Sequence, residues 1–102
     1  MQVLITGANG FVGRALGAEL LRCGHAVRGA LRRQADRALA EGVDPVVVGM
    51  IDAATDWKTA LARCDVVVHL AARVHVMDDT ASDPLAAFRE VNVAGTLNLA
   101  RQ

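Results

Sequence analysis

The hydrophobic pattern changes period several times along the chain. Val3-Leu4-Ile5-Thr6 is a β-branched apolar run and predicts a first strand. From Phe11 to Arg22 the spacing becomes helical: Val12, Leu16 and Leu20 recur every fourth residue, Ala15 lies beside them, and Gly24 closes the helix. Ala26 to Leu31 predicts a second strand, weakened by Arg28 and Gly29, and Arg32 to Glu41 predicts a short polar helix or turn. Pro45-Val46-Val47-Val48 predicts a third strand, with proline at its start where a missing N–H is tolerated. Thr55 to Arg63 predicts a helix with Thr55 as its N-cap. Asp65 to Leu70 contains an unbroken apolar run of the kind found in strands covered on both faces. A loop, Ala71 to Ser82, leads to a last helix with Asp83 as N-cap and Pro84 at its first position.

Strands and helices alternate, which predicts an α/β fold: parallel strands joined by right-handed crossovers. A doubly wound sheet is normally built from two such halves. Four β-α units make one half plus one unit, so the chain is expected to be C-terminally truncated. The uncovered sheet then predicts apolar surface and self-association.

Composition narrows the function classes. The chain has 102 residues, with 11 Lys plus Arg against 11 Asp plus Glu, so its formal net charge is zero. Nothing basic dominates, which argues against a nucleic-acid partner. Apolar residues make up 53%, ample for a packed core. No apolar run approaches the ~20 residues that span a bilayer, and no signal segment opens the chain, so no membrane partner is expected. Cys23 and Cys64 form no disulfide framework and are expected as small apolar fillers in a reducing cytoplasm. There is no tyrosine, so a mechanism needing a tyrosine acid or base cannot run on these residues alone.

The strongest chemical signal is Thr6-Gly7-Ala8-Asn9-Gly10-Phe11-Val12-Gly13, where a strand ends, glycines fall at 7, 10 and 13, and a helix opens. That is the context a dinucleotide fingerprint requires. Gly7 permits the tight turn, Gly10 clears a side chain from the pyrophosphate, and Gly13 lets the helix pack closely. The helix N-terminus offers free N–H groups and partial positive charge, which makes Asn9, Phe11 and Val12 part of the phosphate site. The gap is G-x-x-G rather than G-x-G, and no Gly-Lys-Ser/Thr follows, which excludes a P-loop. The fold expected is therefore a Rossmann-type doubly wound parallel sheet with strand order 3-2-1-4.

This segment resembles the T-G-x-x-G-F/Y-I/V-G motif of extended short-chain dehydrogenases/reductases, the NAD(P)-dependent epimerase/dehydratase family. Three further stretches resemble that family: Gly24-His25-Ala26-Val27-Arg28 before the second strand, His69-Leu70-Ala71-Ala72 after the fourth, and Asn92-Val93-Ala94-Gly95-Thr96 in the last helix. Ala71 to Gln102 is similar to bacterial UDP-sugar epimerases, of the UDP-glucose 4-epimerase type, and to 4-keto-sugar reductases of polysaccharide pathways. The resemblance implies an NAD(P) cofactor, a nucleotide-sugar substrate of the UDP-sugar class, and a homodimer of the full-length protein. It also implies a Tyr-x-x-x-Lys base and a substrate domain, neither of which lies in residues 1–102. These residues are therefore expected to be the N-terminal part of a dinucleotide-binding domain, inactive alone. Two other classes fit: an NADP-dependent reductase of non-sugar substrates such as flavonols or steroids, and a non-catalytic NADP-binding module.

Cofactor choice is read at the end of the second strand, where an acid suits NAD and an arginine suits NADP. Ala30-Leu31-Arg32-Arg33 offers no acid, so Arg32 and Arg33 favour NADP; the alternative is a pair of solvated helix-end charges. After the third strand the family has Gly-Asp, whose acid holds adenine, but here the residues are Gly49-Met50-Ile51-Asp52. A thioether is a weak acceptor. The Ile51 backbone is left to meet adenine, with Asp52 the nearest acid to substitute. Leu70, Ala71 and Ala72 end the fourth strand, and small side chains there let a cofactor lie against it. His69 reads either as a structural histidine satisfied by backbone, the favoured view, or as a chemical group. Asn92 lies on the apolar stripe of Leu85, Phe88 and Leu99. The resemblance gives it a supporting role in ordering the active site; the alternative is a helix-to-strand hydrogen bond. Gly95, mid-helix, implies close backbone contact. His75, Asp78 and Asp79 lack a fourth ligand, so no metal is expected.

Overall fold

The computed structural model describes residues 1–33, 39–71 and 84–102. β1 (Gln2–Thr6), β2 (Ala26–Leu31), β3 (Asp44–Val47) and β4 (Val66–His69) pair in parallel, in the order β3-β2-β1-β4. This is the strand order predicted for a Rossmann-type sheet. β1 lies between β2 and β4, with Val3 opposite both Val27 and Val66, and Thr6 opposite both Ala30 and His69. A strand flanked on both edges and covered on both faces has no solvent side, so its apolar run is continuous.

Alternation along β1 divides the core. Val3 and Ile5 join Ala8 and Val27 on one face, covered by Leu16, Leu20 and Leu21 of α1 (Phe11–Arg22). Leu4 joins Ala30, Ile51, Trp57, Ala60 and Leu99 on the other. That face is covered by Ala60 of α2 (Lys58–Leu61), by Gly95 of a π-helical turn (Glu90–Gly95) that follows α3 (Pro84–Arg89), and by Leu99 of α4 (Thr96–Arg101). Helices on both faces make the sheet doubly wound.

The two features that weakened β2 in the sequence have tertiary explanations. A Cβ on Gly29 would lie 2.9 Å from Ala8 Cβ and 3.0 Å from Val43 Cγ1, so glycine makes room for the loop after β1. Arg28 Nη1 donates to the carbonyls of Ala60 at 2.6 Å and Ala62 at 3.0 Å, a cation on the unsatisfied end of α2.

Several expectations are corrected. The helix predicted over 55–63 contracts to Lys58–Leu61, and its N-cap is Trp57, not Thr55. Thr55 Oγ1 instead accepts from Asp52 N–H at 2.8 Å and donates to the Met50 carbonyl at 2.5 Å. Its hydroxyl closes the turn after β3, and Asp56 Oδ1 takes the Lys58 N–H. β4 is an edge among the described strands, so Val66 and Val67 stay 38% and 36% exposed rather than covered on both faces. The last helix is not one regular helix. A π-helical turn interrupts it, and of the predicted stripe Leu85 is exposed while Leu99 is buried. Cys23 caps the C-terminus of α1, beyond its apolar stripe, and is exposed rather than a filler; Cys64 is half-buried. Residues 34–38 of the polar stretch, and 72–83 with Ala72, His75, Asp78, Asp79 and the Asp83 cap, lie outside the described residues.

Candidate functional site

β1 delivers a buried Thr6 to the end of the sheet, and Gly7 then turns the chain at φ +66°, a conformation that favours glycine. A Cβ on Gly7 would lie 2.8 Å from Ala71 N, so the turn is pressed against the chain leaving β4. Gly10 N–H donates to the Gly7 carbonyl at 3.1 Å, and Gly10 serves as N-cap of α1 without a side-chain bond. A Cβ on Gly13 would lie 2.2 Å from Gly7 O and 2.8 Å from Ala8 Cα. Gly13 thus lets the first turn of α1 sit directly on the loop backbone.

The result is a cradle of bare backbone. The first turn of α1 has no acidic residue, and no side chain caps it. Its leading amides carry the positive end of a 12-residue helix dipole. Asn9, Phe11 and Val12 are exposed around it, Phe11 at 86%. This chemistry fits an anionic diphosphate.

The other predicted residues stand at the carboxyl ends of the same parallel strands, the side on which ligands of open α/β sheets bind. Arg32 and Arg33 form an exposed bend after β2. After β3, Met50 is exposed while Ile51 is buried in the core with Ala71 packed against its cluster. Asp52 Oδ1 accepts from Ala54 N–H at 2.8 Å, which commits that oxygen to the turn. Leu70 and Ala71 follow β4, and Ala71 adjoins Gly7.

Several residues that hold this arrangement were missed by sequence reasoning. The loop after β3 is tied to the last helical segments through Glu90, Asn98 and Gln102. Glu90 Oε1 accepts from Ala53 N–H at 3.2 Å. Asn98 Nδ2 donates to the carbonyls of Asp52 at 3.2 Å and Thr55 at 2.8 Å. Gln102 takes the Trp57 N–H at 2.9 Å and donates to Thr55 O at 2.9 Å. A Cβ on Gly95 would lie 2.9 Å from Ile51 Cγ2, the close contact expected of that glycine. The available signal was polar residues recurring at 90, 98 and 102 on a helix otherwise apolar enough to be buried.

His69 is structural, but hydroxyls rather than backbone satisfy it. Its Nδ1 lies 2.6 Å from Thr6 Oγ1 and its Nε2 lies 3.1 Å from Thr96 Oγ1. Burial pushes its pKa below the ordinary imidazole value. Asn92 is half-buried in the π-helical turn, and its carbonyl accepts the Thr96 hydroxyl at 3.0 Å. A separate open groove of about 500 Å³ runs along the uncovered side of β4, lined by Leu61, Cys64, Val67, His69, Thr96 and Leu99. It does not include the glycine turn. Among the described residues no group of three His, Cys, Asp or Glu is placed to hold a metal, and no helix is long and apolar enough to cross a membrane.

Comparison with known proteins agrees with this geometry. The profile of the NAD dependent epimerase/dehydratase family matches residues 3–102. The chain is 46% identical over 101 residues to UDP-glucose 4-epimerase of Vibrio cholerae, covering 98% of this chain and 30% of that protein. It is 38% identical over 100 residues to 3-beta-hydroxysteroid dehydrogenase of Mycolicibacterium neoaurum, covering 96% and 27%. The solved UDP-glucose 4-epimerase of Thermus thermophilus, in complex with NAD, matches with a TM-score of 0.78 at 28% identity, covering 99% of this chain and 33% of that one. The chain therefore spans about a third of the length of these relatives. With a glycine cradle at the end of β1, the 3-2-1-4 sheet and a family match running nearly end to end, the chain belongs to the NAD dependent epimerase/dehydratase family.

Proposed function

We propose that residues 1–102 form the dinucleotide-gripping part of an NAD(P)-dependent enzyme that modifies a UDP-sugar, as an epimerase, dehydratase or ketoreductase. The observation that carries this reading is the uncapped first turn of α1 above Gly7, Gly10 and Gly13, facing the chain that leaves β4. The amides of Phe11, Val12 and Gly13 hold the diphosphate, with Gly10 leaving room beside them and Asn9 at the rim. Ile51 offers backbone to adenine, and Asp52 shapes that turn through its bond to Ala54. Leu70 and Ala71 form the wall against which the cofactor lies. When bound, the nicotinamide supplies hydride exchange with a sugar carbon. These residues contain no tyrosine, so a tyrosine base for the hydroxyl proton is not among them. Asn92 supports that site from the π-helical turn.

The stretch Ala30-Leu31-Arg32-Arg33 contains no acid, and its arginines favour the 2′-phosphate of NADP. A reductase of non-sugar substrates is the second reading, favoured by the steroid dehydrogenase relative. The substrate profile of the intact protein separates the two.

Gly10 provides the decisive experiment. Its φ of −81° and ψ of 177° are open to any residue, and an added Cβ would meet only Gly7 O, at 3.3 Å. Gly10→Val, with its folding checked by the urea midpoint, is expected to lose at least about tenfold in dinucleotide affinity, since a bulky side chain fills the space the diphosphate needs beside the Phe11 and Val12 amides. Unchanged affinity would sink the proposal.

A further inference from the structure

Four hydrogen bonds around His69 run in one direction. Ala71 N–H donates to Thr6 Oγ1 at 3.1 Å. Thr6 Oγ1 meets His69 Nδ1 at 2.6 Å, and His69 Nε2 meets Thr96 Oγ1 at 3.1 Å. The Thr96 hydroxyl donates to the Asn92 carbonyl at 3.0 Å. Each hydroxyl has one proton to give. Thr96 gives its proton to Asn92, so it accepts from His69 Nε2–H. Nδ1 of a neutral imidazole is then an acceptor, and Thr6 donates to it while accepting from Ala71. Only a neutral ring with its proton on Nε2 satisfies all four bonds. An imidazolium would face Thr6 Oγ1 with a second N–H, leaving the Thr6 proton without its acceptor.

We propose that His69 is a positioning residue: in this one tautomer it ties the chain leaving β4 to the π-helical turn. The Ala71 amide and the Asn92 carbonyl thereby hold a common register. The geometry needs no functional assumption, but the consequence for cofactor binding rests on the dinucleotide reading above. A threonine hydroxyl bonded to the carbonyl four residues back competes with the helical ladder and bends it. His69 holds Thr96 in that state. The relay therefore sustains the irregular turn that carries Asn92, tied to the carboxyl ends of β1 and β4, from which Gly7 and Ala71 emerge.

The test uses the intact protein that carries this chain. Imidazole ¹⁵N spectra at neutral pH are expected to show His69 protonated at Nε2 and bare at Nδ1. A proton on Nδ1, or an imidazolium, would overturn the relay without any variant. Thr96→Ser keeps the hydroxyl and Thr96→Val removes it. Thr96→Val is expected to speed exchange of the Ala71 amide about tenfold and to weaken NADPH binding by a similar factor, with Thr96→Ser near wild type. Equal exchange in the two variants would also overturn it, and if Thr96→Val fails to fold, the wild-type tautomer decides. If the wild type binds no dinucleotide, the functional reading fails alone, because tautomer and exchange still decide the relay.

Discussion

Gly13 rests its α-carbon on the carbonyl oxygen of Gly7, so closely that an added Cβ would lie 2.2 Å from that oxygen. Backbone occupies the space, and it cannot swing away as a side-chain tip does. Gly13→Ala must therefore lift the first turn of α1 off the loop. The expected cost is about 3 kcal/mol, the upper range for overpacking a filled site, read as a lower urea midpoint. Dinucleotide affinity should fall with it, because the displaced turn carries the leading amides. A Gly13→Ala protein of unchanged midpoint would mean that this contact does not set the turn.

The hydroxyl of Thr55 has a second kind of leverage. It is buried, accepts from Asp52 N–H and donates to the Met50 carbonyl, closing the turn that presents Ile51. Thr55→Val keeps the shape and strands both backbone groups. A loss of about 2 kcal/mol is expected from denaturant unfolding, while Thr55→Ser should recover most of it. Equal stability of the two variants would show that solvent replaces these bonds.

These two predictions draw on different depths of the sequence. The Gly7, Gly10 and Gly13 spacing was legible because a strand, a turn and a helix are local events within a dozen residues. The strand order was legible for the same reason, since regular alternation leaves few topologies. Thr55 was misread because its type and position suit a helix cap, and the competing Met50 and Asp52 partners appear only once the turn has closed. The exposure of β4 depends on what lies beside it, which an apolar run does not encode. The π-helical turn was invisible because the groups it meets are distant in sequence: Ala53 bonds Glu90, Ile51 packs on Gly95, and His69 bonds Thr96 just beyond it. The hydroxyl partners of His69 come from β1 and α4, 63 and 27 residues away.

Cofactor choice can be tested at the bend after β2. Arg32→Ala with Arg33→Ala is expected to weaken NADPH about tenfold or more while leaving NADH within about twofold, because a charge-assisted bond to a phosphate contributes roughly 1.5–3 kcal/mol. Both side chains are exposed, and urea midpoints of the two proteins check that the fold is unchanged. Titration of both nucleotides against both proteins, at one fixed salt concentration, reads the result. A parallel loss for NADH and NADPH would assign the arginines to general electrostatics instead.

The pH dependence of stability follows from His69. Burial lowers its pKa in the folded chain below the ordinary imidazole value of 6.5. In the unfolded chain the ring takes a proton near that value, while the folded ring stays neutral to lower pH. The unfolded state therefore binds more protons in this window, and stability falls as pH falls. The contribution is fully present above about pH 6.5 and is lost as pH drops toward the folded pKa. Its slope cannot exceed about 1.4 kcal/mol per pH unit, and half-exposure of the ring keeps it well below that. Cys64 and Asp65 line the same groove, so the measurement must be a difference. Urea midpoints of wild type and His69→Gln, taken between pH 7.5 and 5.5, should converge as pH falls. The wild type should be the more stable at the upper end, where all four bonds of the relay are made. A constant gap across this range would show that the ring titrates alike in both states, and that burial does not hold it neutral.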